Sequence, residues 1–90
     1  MERKDIVVEL LTATGCGACQ PVRQRIRSVI EELGEARLRL REVDVVADID
    51  YAVSLGVLST PAIAIDGALV LSGAPSVAEL RRVLREHLSR

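Results

Sequence analysis

Aromatic side chains are almost absent from this sequence, which contains one tyrosine and no tryptophan or phenylalanine. Proteins that bind single-stranded nucleic acids stack the bases on aromatic rings, so this mode of binding is effectively excluded. The formal net charge of −1 also gives no reason to expect a nucleic acid or an anionic membrane as a partner. The core must therefore be built from aliphatic side chains.

Metal ligands and long apolar runs are scarce as well. Two cysteines and one histidine, His87, cannot supply the four ligands of a conventional structural zinc site, so no metal site is predicted. No segment approaches the length of a membrane span, and Glu9 interrupts an N-terminal apolar run that is too short for a signal peptide. We therefore expect a cytoplasmic protein with one domain over residues 1–90.

The two cysteines lie three positions apart in the segment Gly15-Cys16-Gly17-Ala18-Cys19. Stable disulfides are rare in the cytoplasm, where a lone pair of this spacing is more often catalytic. A structural disulfide across so short a loop would constrain the unfolded chain very little. A half-site that carries a soft metal ion is the main alternative to a redox pair, because the segment also resembles heavy-metal-associated domains.

The first strand and helix set the environment of these thiols. An almost uninterrupted apolar run at residues 6–12 indicates a strand buried on both faces. Apolar residues at helical spacing follow over residues 18–33, and Gly34 supplies the end of this helix.

The helix start determines the reactivity expected of the cysteines. Pro21 lacks an N–H and fits only in the opening turn, so the helix begins near Cys19 and leaves Cys16 at its N-terminus. Backbone N–H groups there carry about half a unit of positive charge, which favours the thiolate of the first cysteine. Cys19 is then within reach to close an internal disulfide.

A second strand and a short helix are predicted next. The strand spans residues 37–45, leucines alternate with arginines over residues 37–41, and an arginine row of this kind is typical of an edge strand protected by charge. Asp48 or a neighbour is expected to cap a short helix, which Gly56 ends.

The last third of the chain contains two clear local signals. Asp66-Gly67 lies between two apolar runs and predicts a β-hairpin. The stretch Ser76-Val77-Ala78-Glu79 predicts a capping box that opens a final helix. The element order is therefore β-α-β-α-β-β-α, an α/β class in which the first two strands are parallel and the last two antiparallel.

Three motifs in this order resemble the thioredoxin superfamily, and its small glutaredoxin-like members in particular. They are Cys16-Gly17-Ala18-Cys19 after the first strand, Thr60-Pro61 before the third strand, and Gly73 between the last strand and the last helix. The resemblance implies a thioredoxin-like, four-stranded mixed sheet of order 2-1-3-4 with helices on both faces. It weakens the heavy-metal alternative, whose fold has two consecutive strands after its first helix.

The resemblance also implies an activity, that of a thiol-disulfide oxidoreductase that reduces protein disulfides. Cys16 would attack the substrate disulfide and Cys19 would resolve the mixed disulfide. Gly15, Gly17 and Ala18 complete the motif, and no cofactor is expected beyond the redox-active disulfide between Cys16 and Cys19.

Substrate binding would involve residues near the predicted third strand. The resemblance implies that Pro61 is cis and lies against the cysteine pair. The backbone of Thr60 would then pair with an extended substrate, and Gly73 would belong to the same binding surface. The expected substrates are proteins that contain a disulfide.

The sequence also departs from the patterns of these families. The buried aspartate of thioredoxins is replaced by Leu10, and Glu9 is not assigned its proton-transfer role because strand alternation points it to the opposite face. Of the glutathione-holding residues of glutaredoxins only Gly73 is present. We therefore expect a thioredoxin reductase rather than glutathione as the electron donor, and a monomer.

Two other functions remain open on the sequence alone. The cysteine pair could carry a soft metal ion or an iron-sulfur cluster shared between two chains, or the protein could be an interaction module regulated by its redox state. Arg23, one turn beyond Cys19, is interpreted as a solvated residue rather than an aid to catalysis. His87, in the last turn of the final helix, is assigned no acid-base role.

Overall fold

The structure, a computed structural model, describes residues 4–90. Its elements are β1 (Ile6–Thr12), α1 (Cys19–Leu33), β2 (Leu38–Asp44), α2 (Ile49–Leu55), β3 (Ala62–Ile65), β4 (Ala68–Ser72) and α3 (Val77–Leu88). The strands form one sheet of order β2-β1-β3-β4, in which β1 is parallel to β2 and antiparallel to β3. This confirms the predicted element order and mixed sheet. None of the helices found within residues 4–90 is long and apolar enough to cross a bilayer.

Strand β1 is buried on both faces, as its apolar run predicts. Val8 and Leu10 are fully buried in a cluster with side chains of α1 and α3. Leu11, the next residue, is fully buried in a second cluster with Ala52 of α2. The helices therefore cover opposite faces of the sheet, because successive side chains of a strand point to opposite sides.

The local signals at the turns are confirmed. Asp66 and Gly67 both have positive φ, +49° and +81°, which the tight turn between β3 and β4 requires. At the start of α3, the Ser76 side chain accepts a hydrogen bond from the Glu79 N–H at 3.1 Å, and Glu79 Oε1 accepts one from the Ser76 N–H at 3.2 Å. Gly34 ends α1 in the left-handed conformation.

The cap expected at α2 is not formed by Asp48. This residue occupies the N-cap position, but its side chain accepts no capping hydrogen bond and its backbone is not extended, with φ −114° and ψ 51°. Asp44 instead accepts hydrogen bonds from the N–H groups of Val46 at 2.8 Å and Ala47 at 3.2 Å. The aspartate side chain that accepts backbone hydrogen bonds in this region is therefore Asp44, the last residue of β2, and not the N-cap residue Asp48.

A buried polar contact fixes α2 on the sheet. Glu9 is 3% exposed and is the one buried charged residue of the described chain. The Tyr51 hydroxyl of α2 donates a hydrogen bond to Glu9 Oε1, and Arg41 Nη1 lies 3.6 Å from Glu9 Oε2. The hydrogen bond to Glu9, followed by burial and the charge of Glu9, raises the pKa of Tyr51.

Tyr51→Phe tests this contact, because the change removes the hydroxyl and keeps the ring. We expect the free energy of unfolding to fall by about 1–3 kcal/mol at pH 7, since the buried Glu9 carboxylate loses its donor. Folding raises the pKa of Tyr51 above its usual value of 10.0. Below pH 10.0 the protonated hydroxyl therefore contributes its full stabilisation of the fold, and this contribution is lost as the pH rises through the raised pKa.

Urea unfolding of both proteins at neutral pH and above pH 10.0 measures this difference. The two proteins should become more similar in stability at the alkaline end of the series. A difference in stability that is independent of pH would contradict the assignment.

Candidate active site

The two cysteines form a disulfide at the start of α1. Their Sγ atoms are 2.02 Å apart and their Cα atoms 5.4 Å apart. Cys16 lies in the turn before the helix and is partly exposed, whereas Cys19 is the first helical residue and is 4% exposed. Another molecule can therefore reach the pair only from the side of Cys16.

A tight turn carries the chain from β1 into the cysteine pair. The N–H of Cys16 donates a hydrogen bond to the Ala13 carbonyl at 3.2 Å, and the N–H of Cys19 donates to the Cys16 carbonyl at 3.3 Å. Gly15 has φ +81°, a conformation that residues with a Cβ rarely adopt. The glycine before the first cysteine is thus required by the backbone.

A shallow groove, which we call the cysteine groove, runs beside the disulfide. It is lined by residues 12–17, Cys19, Gln20, Arg23 and Asp44. Arg23 donates to Glu42 through Nε at 2.8 Å and Nη2 at 2.7 Å, and also to Gln20. Its side chain stays partly exposed and its charge is matched by Glu42, so it is not a free cation beside the sulfur atoms.

Asp44 belongs to this groove, although the sequence alone did not indicate it. β1 and β2 are parallel, and their register pairs Thr12 with Asp44 at the ends of the two strands. The carboxyl end of β2 therefore lies beside the segment that leads from β1 to Cys16. The predicted parallel pairing of β1 and β2 could have indicated this position of Asp44, because it places the last residues of both strands at the same edge of the sheet.

The residues predicted to bind substrate lie around the start of β3. The Thr60–Pro61 peptide bond is cis, as the resemblance implies, and Pro61 is buried. The N–H of Gly73 donates to the Pro61 carbonyl at 2.9 Å, so these two predicted residues are in direct contact. Thr60 lines a second groove together with Ala13, which also lines the cysteine groove.

The other residues considered from the sequence line neither of these grooves. Leu10 is buried among the side chains of α1 and α3, while Glu9 lies on the α2 face and binds Tyr51. The opposite orientation predicted for Glu9 is thus confirmed. His87 Nδ1 lies 2.9 Å from the Val83 carbonyl oxygen, within its own helix.

Known proteins match this chain over most of its length. Residues 4–85 match a family model described as a thioredoxin domain. The chain belongs to the thioredoxin family. A protein named Probable Thioredoxin from Methanothermobacter thermautotrophicus is 27% identical over 81 residues, which is 90% of this chain and 94% of that protein. A protein of the same name from Methanothermobacter marburgensis is 25% identical over 83 residues, covering 92% of this chain and 96% of its own length.

Solved thioredoxin structures share the fold. A mutant thioredoxin from Halobacterium salinarum superimposes with a TM-score of 0.75 at 22% identity, covering 92% of this chain and 74% of its own. Mitochondrial thioredoxin 3 from Saccharomyces cerevisiae, in its oxidised form, gives 0.75 at 24% identity, with 93% and 80% covered. Thioredoxin family membership and the bonded cysteine pair together support thiol-disulfide oxidoreductase chemistry.

The charge of Asp44 is expected to slow the reaction of Cys16 in the reduced protein. Asp44→Asn keeps an oxygen for the N–H groups of Val46 and Ala47 but removes the negative charge from the cysteine groove. Cys16 should then react with iodoacetamide about 2-fold faster at pH 7 and low salt, because the carboxylate no longer opposes the thiolate. Added salt should reduce this difference.

Glu31→Gln is the matched control for this experiment. Glu31 is an exposed acid twelve residues beyond Cys19 on α1, or about 18 Å along the helix axis. Its removal should leave the alkylation rate unchanged. Equal rates for Asp44→Asn and the wild type at low salt would exclude an influence of Asp44 on the thiolate.

Proposed function

We propose that this thioredoxin-family protein reduces disulfide bonds in other proteins, with Cys16 as the nucleophile and Cys19 as the resolving thiol. The observation that carries the proposal is the unequal exposure of the two cysteines. Cys16 is partly exposed, and Cys19 is 4% exposed behind it. A substrate disulfide would therefore meet Cys16 first.

The proposed cycle begins with the dithiol form. The Cys16 thiolate attacks one sulfur of the substrate disulfide, the substrate S–S bond breaks, and the departing sulfur takes up a proton. The Cys19 thiol then loses its proton and attacks Cys16 Sγ, which forms the internal disulfide and releases the second substrate sulfur as a thiol. Two electrons pass from the protein to the substrate, and of the two protons taken up by the substrate sulfurs one comes from the Cys19 thiol and one from the solvent.

Two features of the chain favour the first step and the binding of an extended substrate. Cys16 precedes the first turn of α1, where the unpaired backbone N–H groups stabilise negative charge on its sulfur. Within residues 4–90, the backbone of Thr60 makes no main-chain hydrogen bond, so its donor and acceptor are available to a substrate strand. Pro61 and Gly73 hold this segment in place through their mutual hydrogen bond.

A thioredoxin reductase is the proposed electron donor. The N–H of Gly73, the one residue left of the glutathione-holding pattern, is already occupied by the Pro61 carbonyl. Gly17 and Ala18 separate the cysteines without a histidine to stabilise an extreme thiolate, which favours a reducing role. We propose a single-domain monomer that works in the cytoplasm.

The alternative functions of the same cysteines gain no specific support. Among residues 4–90, no three His, Cys, Asp or Glu side chains group into a metal site. A metal ion on Cys16 and Cys19 that needs more than two protein ligands would take the others from a second molecule. Metal carriage and a redox-regulated interaction remain hypotheses.

Cys19→Ser is the direct test of the proposed roles. This variant should form a stable mixed disulfide with a disulfide-containing protein through Cys16, because the resolving thiol is missing. Mass spectrometry of the trapped complex, isolated without reductant, locates the linkage. Cys16→Ser is the matched control and should form no such complex, and a complex formed equally through either cysteine would contradict the assignment.

The choice of electron donor is tested by turnover. With a model protein disulfide as substrate, a thioredoxin reductase and NADPH should sustain reduction at least about 10-fold faster than glutathione with its reductase, since the glutathione contacts are incomplete. Thiol alkylation followed by mass measurement reports the redox state, because the chain lacks tryptophan. Faster turnover with glutathione would refute this part of the proposal.

A further inference from the structure

A second groove adjoins the cysteine groove. We call it the α2 groove, and its lining includes Ile49, Val53, Val57, Leu58 and Thr60. Ala13 lines this groove and the cysteine groove, so the two meet at this residue. A polypeptide with its disulfide at Cys16 would extend into the α2 groove.

The α2 groove exposes the apolar side chains that the sheet does not cover. Leu58 is 99% exposed, Val53 67% and Ile49 54%. They are three of the four large aliphatic side chains exposed within residues 4–90, and the fourth, Val46, precedes α2. Single exposed aliphatic side chains scattered over a protein surface are ordinary, but several concentrated in one segment mark a binding surface.

The chain segment that forms the α2 groove carries exposed negative charge, since Asp48 and Asp50 flank the lining residue Ile49 in the sequence. Residues 42–80 contain no lysine, arginine or histidine. Glu42 is paired with Arg23 at 2.7 Å, but the exposed carboxylates of Asp44, Asp48 and Asp50 form no ion pair with any residue of the described range 4–90. Cations would therefore be attracted to this end of the molecule, and anions repelled.

We infer that the α2 groove binds the substrate segment that flanks the target disulfide, and that it selects segments carrying aliphatic side chains together with lysine or arginine. The aliphatic side chains would cover Leu58 and Val53, and the cationic side chains would lie beside Asp48 and Asp50. This inference rests on the proposed reduction of protein disulfides. The inference adds to that function the class of protein substrate that is reduced fastest.

Matched disulfide peptides test the selection. Three peptides share one disulfide and one length, and their flanking segments contain leucine with arginine, leucine with glutamate, or serine with arginine. The first should react with the reduced wild-type protein about 10-fold faster than the second at low salt and about 2-fold faster at 1 M salt, because salt screens the charges. The first peptide should react about 4-fold faster than the third, because serine in place of leucine buries no aliphatic surface in the α2 groove.

Two variants separate the contributions of charge and apolar contact. Asp48→Asn combined with Asp50→Asn should lower the preference for arginine over glutamate about 3-fold at low salt. Leu58→Ser should remove most of the preference for leucine over serine. Glu31→Gln, an acid remote from both grooves, is the matched control and should leave both preferences as they are in the wild type.

The outcomes distinguish this inference from the function on which it rests. If the wild type reduces hydroxyethyl disulfide, which has no flanking chain, but reduces all three peptides at equal rates, the inference is wrong and the proposed function stands. If the wild type reduces neither hydroxyethyl disulfide nor a protein disulfide, both are wrong. A dimer that Leu58→Ser dissociates, with the peptide preferences unchanged in that variant, would assign the groove to a second copy and overturn the inference.

Discussion

The burial of β1 between two layers of helices is the constraint on which the rest of the structure depends. Leu10 packs against α1 and α3 on one face, and Leu11 packs against α2 on the other. Each fully buried aliphatic side chain stabilises the fold by about 1.5–3 kcal/mol relative to its exposure. A shift of β1 by one residue would exchange the two faces, so the position of its carboxyl end, and with it the turn to Cys16, is fixed.

The neighbours of β1 assemble the site at this end. Parallel pairing with β2 places Asp44 beside Thr12, and antiparallel pairing with β3 places Ala62 beside Leu11. Pro61, the residue before β3, therefore lies at the same edge of the sheet as the turn that leads from β1 to Cys16. One strand thus brings together the cysteine pair, an acidic side chain and the candidate substrate-binding segment, although they lie far apart in the chain.

The buried carboxylate of this chain, Glu9, lies on the face of the sheet that α2 covers. Leu10 is buried among side chains of α1 and α3, and Glu9 lies on the opposite face of the sheet, where the Tyr51 hydroxyl donates a hydrogen bond to it. The Glu9–Tyr51 hydrogen bond holds α2 against the sheet, and α2 presents Ile49 and Val53 to the solvent. Glu9 thus contributes, through Tyr51, to the position of α2 and to the shape of the α2 groove.

The amino-acid sequence by itself determined the features that depend on neighbouring residues: the cysteine pair, the hairpin turn at Asp66-Gly67 and the cap formed by Ser76 and Glu79. Backbone conformation and hydrogen bonds within a few residues decide these features. Only the tertiary structure decided that Arg23 is matched by Glu42, that Tyr51 binds Glu9 and that Asp44 lines the cysteine groove. These contacts join distant segments, and strand register and helix packing set their distances, so no local pattern encodes them.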